Sequence, residues 1–408
     1  MNIWKRNLYT VWVAQILSLT GFGFALPFLP YYIQDLGITD PERVRFWTGI
    51  ISSAPALAMG IMAPIWGGLA DRFGRKLMML RSMGVGSIII FLLGLSRNVQ
   101  TVVVLRICQG LFTGTISAAA TLVAAETPSD RQSFALGFLS SSTFIGLALG
   151  PFVGGLLAEL VGYRTSFMIG SSVLLAGFFF VLFLITESKK PEAPPASGGG
   201  VKPALRQRLR NTLRMFLRPE ILILFFSLFI LRFTRTMANP FIALYIQEIR
   251  GTLRGASSIT GSVSAAVGLA TALAGLTLSR LGDRKQKSLL IVLFMFLGGM
   301  FYIPVFFTRG LWSFILLYVA GTYFLGGVEP IVQSSLSIQT DPGKRGKLFG
   351  VQTAVGSLGW FLAPMAGSFI SINLGIPAIF LFLGIVLALG LGINLLYILR
   401  RDRHMFNH

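Results

Sequence analysis

The chain of 408 residues is 54% hydrophobic and only 12% charged, with 46 glycines, 18 prolines and one cysteine. A soluble domain carries about twice that share of charged residues, which excludes an ordinary water-soluble fold, and a single thiol excludes an internal disulfide framework. The formal net charge of +20 would suit a nucleic-acid binder, but the positions of the basic residues point to a lipid bilayer and not to nucleic acid as the partner.

In chain order, apolar runs lie at roughly 8–33, 47–69, 77–96, 100–123, 134–160, 164–186, 220–247, 257–279, 287–307, 311–333, 347–371 and 376–399. Each is long enough to cross a hydrocarbon core about 30 Å thick. Backbone polar groups in lipid must bond within their own segment, so the runs are expected to be helices, and the glycines and prolines inside them do not count against that. The expected fold is an all-α membrane protein with twelve transmembrane helices. The first run, after Met1-Asn2-Ile3-Trp4-Lys5-Arg6, is too long for a signal-peptide core and is expected to be retained.

An even number of spans puts both termini on one side. With that side taken as cytoplasmic, 25 Lys and Arg fall in cytoplasmic segments, 7 in outside loops, and 3 (Arg106, Arg232 and Arg235) within helices. The positive-inside rule predicts this bias for a multi-pass protein of the inner or plasma membrane with both ends cytoplasmic. The cytoplasmic count includes Arg72, Arg75, Lys76 and Arg81, in the connection between the second and third runs and the first turns of the third. The longest connection, 187–219, opens Pro/Gly/Ser-rich, as a flexible linker does. It then turns basic through Arg206, Arg208, Arg210, Arg214 and Arg218, as expected of a segment lying against anionic headgroups.

The two halves repeat. A shift of 213 places Pro27-Phe28 on Pro240-Phe241 and Tyr32-Ile33-Gln34-Asp35 on Tyr245-Ile246-Gln247-Glu248. The same shift places Gly137, Gly146, Pro151, Gly154 and Gly162 on Gly350, Gly359, Pro364, Gly367 and Gly375. The expectation is two pseudo-symmetric six-helix bundles, residues 1–186 and 220–408, joined by 187–219. Repeats of this kind are characteristic of proteins that rock two halves around a central site.

Between the second and third runs stands Gly67-Gly68-Leu69-Ala70-Asp71-Arg72-Phe73-Gly74-Arg75-Lys76, with a degraded copy, Ser279-Arg280-Leu281-Gly282-Asp283-Arg284-Lys285, in the second half. Glycines here permit a tight turn and close helix approach. The fourth run carries Leu105-Arg106-Ile107-Cys108-Gln109-Gly110, and the fifth Gly146-Leu147-Ala148-Leu149-Gly150-Pro151-Phe152-Val153-Gly154-Gly155. In the fifth, small residues allow close packing and Pro151 frees a carbonyl. In these motifs, and in Leu26-Pro27-Phe28-Leu29-Pro30-Tyr31, the chain resembles the major facilitator superfamily, in its twelve-helix drug:H+ antiporter branch of bacterial multidrug efflux transporters. The resemblance implies a conformational role for Gly68, Asp71, Arg72, Arg75 and Asp283, a packing role for Gly150 and Pro151, and a link between Arg106 and proton coupling.

Charges inside the membrane are costly and mark function by default. Glu329 is the only acid placed well inside a predicted helix, so it is the candidate proton site; the alternative is a structural Glu paired with an arginine of the seventh helix. Arg232, Arg235 and Asn239 share one face of that helix and suit an anionic or zwitterionic head. Phe22, Phe112, Gln352 and Trp360 complete the expected substrate set, with Phe24, Phe241, Tyr323, Gln15, Gln109 and Gln333 as further candidates by position. His404 and His408 have no ligand partners nearby, so no metal is expected. Without a Walker-type loop, no nucleotide cofactor is expected either, and the energy source is read as a proton gradient.

The reading that results is a monomeric secondary transporter, not an enzyme, in which proton influx drives export of amphipathic, drug-like small molecules by alternating access. The alternative substrate is an anionic metabolite or a lysophospholipid-like amphiphile. A membrane-embedded transferase would need acid, His or nucleophile clusters at a membrane face, and the sequence offers none.

Overall fold

The computed structural model describes residues 2–128, 131–187, 218–284, 286–339 and 345–406, with their side chains except at 64, 71, 133, 283, 284, 337, 345–350, 353, 398 and 400–406. Most of the connection 187–219 therefore lies outside the described residues. The helices in chain order are α1 (Ile3–Asp35), α2 (Pro41–Phe73), α3 (Arg75–Leu95), α4 (Val99–Glu126), a continuous run Gln132–Leu184, α7 (Pro219–Arg250), α8 (Ala256–Arg284), α9 (Lys287–Phe307), α10 (Leu311–Leu336), α11 (Arg345–Leu374) and α12 (Pro377–Phe406). The 53-residue run would be about 80 Å long if straight, more than twice what a bilayer core needs. It breaks at Gly162, where φ is 80°, and it doubles back, because the Ser166 hydroxyl reaches the Gly154 carbonyl at 3.4 Å. The run is thus two spans, α5 (132–161) and α6 (163–184), and the described residues hold the twelve expected crossings.

Four spans are interrupted, in matching pairs. In α1 and α7 a 3₁₀ turn replaces the α-helix at Leu26–Phe28 and Asn239–Phe241, positions related by the 213 shift. Pro27 and Pro240 cause it, since neither can donate to the carbonyl four residues earlier. In α4 the helix stops at Phe112 and restarts at Thr115, with Gly114 at φ 142°; in α10 it stops at Gly326 and restarts at Val328. Interrupted helices at equivalent depths in two halves point to a binding site between those halves.

Helices α1–α6 pack among themselves, as do α7–α12, and the two bundles meet mainly along α2–α11 and α5–α8. Both seams are wedges. On α8, glycines recur every seven residues and so share one stripe. A Cβ on Gly261 would strike the backbone of Pro151, one on Gly268 would sit 3.5 Å from Ala148, and one on Gly275 would meet nothing within 4 Å. On α2, Gly49 is jammed against Ser368, Gly60 lies near Ser357, and Gly67 and Gly68 face open space. The halves are therefore closed on one face of the membrane and splayed on the other, the face that carries the chain ends and the Gly67–Lys76 turn. We call that splayed side the terminal face.

Contacts between the halves hold the opposite face shut. Tyr31 of α1 donates its hydroxyl to the Ala243 carbonyl of α7 at 2.6 Å and pairs with Thr260 of α8 at 2.9 Å. Gln34 and Gln247, corresponding positions of α1 and α7, exchange reciprocal amide hydrogen bonds of 2.8 and 2.9 Å. Arg45 donates to the Ser371 carbonyl at 2.8 Å and lies 3.8 Å from Glu248, while Glu159 accepts from the Gly255 N–H at 2.8 Å. A disulfide between cysteines replacing Gln34 and Gln247, in a Cys108→Ser background, should block transport until it is reduced. Full activity with the bond formed would show that the halves do not part there.

Candidate functional site

The charged residues half-buried between the α7 and α10 interruptions form one cluster. Arg232 of α7 donates through Nε and Nη2 to Glu329 Oε1, at 3.1 and 2.9 Å. Arg235, one turn further along, donates through Nη1 to Glu329 Oε2 at 3.2 Å. Gln333 Nε2 adds a longer bond to Oε1, at 3.3 Å. Two guanidiniums on one carboxylate leave the cluster with a net charge of +1. It is partly reachable, with 15, 32 and 21% of the Arg232, Arg235 and Glu329 side chains exposed.

The interruptions explain the placement. The α10 break puts Glu329 in the first turn of the segment Val328–Ile338, where unpaired N–H groups favour a negative charge. The α7 break puts Arg235 in the last turn of Pro219–Ala238, where unpaired carbonyls favour a positive one. Helix α11 supplies the third wall. Gln352, Gly356 and Trp360 stand four residues apart and so share a face. A Cβ on Gly356 would collide with Arg232 Nη1, and the Arg232 guanidinium lies 5.4 Å from the Trp360 ring centroid. Gly356 is thus a slot cut for Arg232, and Trp360 covers the guanidinium. Gln352 is buried and its Oε1 has no hydrogen-bond partner among the described residues. Asn239, four residues beyond Arg235, is exposed at the start of the 3₁₀ turn.

The first half holds no copy of the cluster, since the corresponding positions are Leu19, Phe22 and Ile116. Several expected residues lie elsewhere. Phe22 turns its ring tip against Gly86 of α3, inside the first bundle. Phe24 and Phe241 are buried in the packed core and pack against Gly170 and Gly367, so their rings fill helix–helix contacts. Phe112 is 37% exposed, with its ring 6.1 Å from that of Trp66. Tyr323 bonds Thr277 at 2.9 Å. Arg106 is buried and donates to the Ile51 carbonyl and to Gln109. Gly150 packs on Gly23 of α1, 2.9 Å from a Cβ placed on it, and the Pro151 carbonyl faces Gly261.

In the terminal-face turn, Gly74 has φ 94°. The Asp71 and Asp283 side chains lie outside the described set; Gly68 and Arg72 are exposed. Glu187, just past α6, accepts from the Arg75 N–H at 2.8 Å, while Lys76 Nζ donates to the Leu182 and Ile185 carbonyls at 2.8 and 2.7 Å. The start of α3 and the end of α6 therefore exchange charges that suit both helix ends. Sequence reasoning missed the Gln34–Gln247 pair and Trp66, and it counted Arg81 only as a cytoplasmic charge in the first turns of its helix. The structure stacks Arg81 of α3 3.4 Å over the Trp66 centroid, with its Nε and Nη1 buried. The repeat already aligned Gln34 with Gln247; for Arg81, five residues beyond Lys76, distance along the chain gave no signal.

The Major Facilitator Superfamily model matches residues 11–334 and 224–406. The chain is 32% identical over 386 residues to the multidrug resistance protein MdtG of Proteus mirabilis (strain HI4320), covering 93% of each. Among solved structures it is similar to a bacterial homolog of the human lysosomal transporter Spinster, with TM-score 0.74, 16% identity and 97% of each chain covered. It is similar also to a point mutant of the nucleoside transporter NupG, with TM-score 0.76, 14% identity, 95% of this chain and 99% of that one covered. With two pseudo-symmetric bundles, a charged site at matched helix interruptions, and these matches along nearly its whole length, the chain belongs to the Major Facilitator Superfamily, as a multi-pass membrane transporter of small molecules.

Proposed function

We propose that this protein exports amphipathic, drug-like compounds from the cytoplasm in exchange for protons, with Glu329 as the proton site. The observation that carries the reading is the Arg232–Glu329–Arg235 cluster, partly exposed between interrupted helices in a body splayed on one face only. The relatives named as multidrug resistance proteins support the substrate class. The basic residues concentrated at the terminal face support its being cytoplasmic, which makes the observed state inward-open.

A proton on Glu329 competes with both arginines for the same carboxylate oxygens. Protonation loosens the tie between α7 and α10 across their interruptions; deprotonation restores it. A substrate group that needs the free carboxylate or the paired arrangement is bound in the deprotonated state and displaced in the protonated one, which is exchange by competition. No cofactor enters, and one chain supplies both walls, so the working unit is a monomer. In proteoliposomes an amphipathic dye should move uphill only when a pH gradient is imposed, and exchange down its own gradient without one. Uphill movement with the gradient collapsed would refute proton coupling.

The net positive charge of the cluster favours a second reading, in which the bound group is anionic, as in an anionic metabolite or a lysophospholipid-like amphiphile. Here the sign reverses: a proton on Glu329 releases the arginines for the anion, so proton and substrate bind together. Replacing Arg232 and Arg235 together by Gln should then weaken anionic amphiphiles at least about tenfold, the loss of one to two charged hydrogen bonds, and leave cationic ones little changed. Equal losses for both would make the pair structural.

A further inference from the structure

Among the described residues, helices α2 and α4 are tied by hydrogen bonds at two points. At each, a side chain of one helix donates to a carbonyl that the other helix cannot bond for itself. The first is made by Pro55, which has no N–H to give the Ile51 carbonyl four residues earlier. Arg106 of α4, 7% exposed, donates there instead, from Nε at 3.1 Å, and from Nη1 to Gln109. Gly110, one turn on, permits the approach, because a Cβ would run into the Pro55 backbone. The second is made by the α4 interruption, which leaves carbonyls of the last turn before it without helical donors. Trp66 of α2 donates its indole N–H to one of them, that of Leu111, at 2.7 Å. Arg81 of α3 lies over the opposite side of this bond, on the Trp66 ring.

We propose that these two oppositely directed bonds make α2 and α4 one rigid lever, and that Arg106 and Trp66 are its positioning residues. The lever matters because α2 also forms the seam with α11. It is packed at Gly49 and free at Gly67 and Gly68, so it is the element that must swing when the open face closes. The bond to Ile51 explains how an arginine is kept inside the membrane with no carboxylate partner among the described residues: its charge is used on a carbonyl vacated by proline, and it acts through α2 and not on proton or substrate directly. The role of the swing rests on the transporter reading, but the lever itself does not.

Three substitutions test it in a Cys108→Ser background. Pro55→Ala gives residue 55 an N–H that competes for the Ile51 carbonyl; Arg106→Gln removes the donor; Trp66→Phe removes the indole N–H while keeping an aromatic face for Arg81. Spin labels at the exposed positions Ile61 and Ile116 should report one narrow distance distribution in the parent and broadened ones in all three variants, whether or not the protein transports. Exchange in proteoliposomes should slow about tenfold in each, the cost of one such hydrogen bond, with KM and pH profile unchanged and partial rescue by Arg106→Lys. Pro55→Ala combined with Arg106→Gln should be no slower than Arg106→Gln alone. Unbroadened distances in all three variants would overturn the proposal. So would a shifted pH profile in Arg106→Gln alongside parental exchange in Pro55→Ala and Trp66→Phe.

Discussion

Glu329→Gln is expected to abolish uphill, gradient-driven export, while substrate binding, weakened because the amide stands in for the protonated carboxyl, and downhill exchange at saturating substrate persist. Glutamine keeps the size and one carbonyl acceptor for Arg232 Nη2, which now sits 2.9 Å from the carboxylate, but it cannot titrate. The variant therefore fixes one protonation state, and the cycle can run only as exchange. The substitution also leaves two guanidiniums without a counter-charge in a partly buried site, which costs about 3 kcal/mol and should lower thermal stability. Those two effects separate the mechanisms. A purely structural ion pair would lose stability and every mode of transport together. A proton site loses only the driven mode. The check is a comparison of counterflow and pH-driven uptake by the same reconstituted sample.

Gly356→Ala is expected to reproduce much of the loss caused by removing Arg232, although it touches neither charge. The new Cβ would occupy the place of Arg232 Nη1. Helix α11 is long and packs on both α2 and α7, so the guanidinium is the part free to yield. Pushed out, Arg232 gives up its two bonds to Glu329 and its stacking on Trp360. A charged hydrogen bond is worth about 1.5–3 kcal/mol, so driven transport should fall at least about tenfold. Combining Gly356→Ala with Arg232→Gln should cost little beyond Arg232→Gln alone. Full additivity of the two would mean that Gly356 serves helix packing and not the arginine.

Much of the fold was legible in the sequence because the bilayer imposes it. Apolar runs of crossing length, the repeat at a shift of 213 and the bias of basic residues each follow from a constraint that acts along the chain. The interruptions were half legible. Pro27 and Pro240 announce theirs, but the breaks at Gly114 and Gly327 depend on glycines that could equally have packed inside an unbroken helix.

Within the site, Glu329 and the two arginines stood out because charge in a membrane helix is rare, and their pairing had been an open alternative. The aromatic residues did not sort. A membrane helix is apolar all round, so nothing local says whether Phe22 or Phe241 faces a cavity or a neighbouring glycine. Gly356 was invisible for the complementary reason: its role exists only in the side chain of Arg232, more than a hundred residues away. The stacking of Arg81 on Trp66 was invisible for the same reason, because it depends on a ring supplied by another helix.

The central claim is that substrate and proton share Glu329, and proton counting on ligand binding tests it most directly. Purified protein in weakly buffered solution, titrated with an amphipathic ligand between acidic and neutral pH, should release protons on binding, the release growing toward about one per ligand as the pH falls, as linkage requires. The same titration of Glu329→Gln should release none. An equal release from wild type and Glu329→Gln, or binding with no change in bound protons at any pH, would contradict the account.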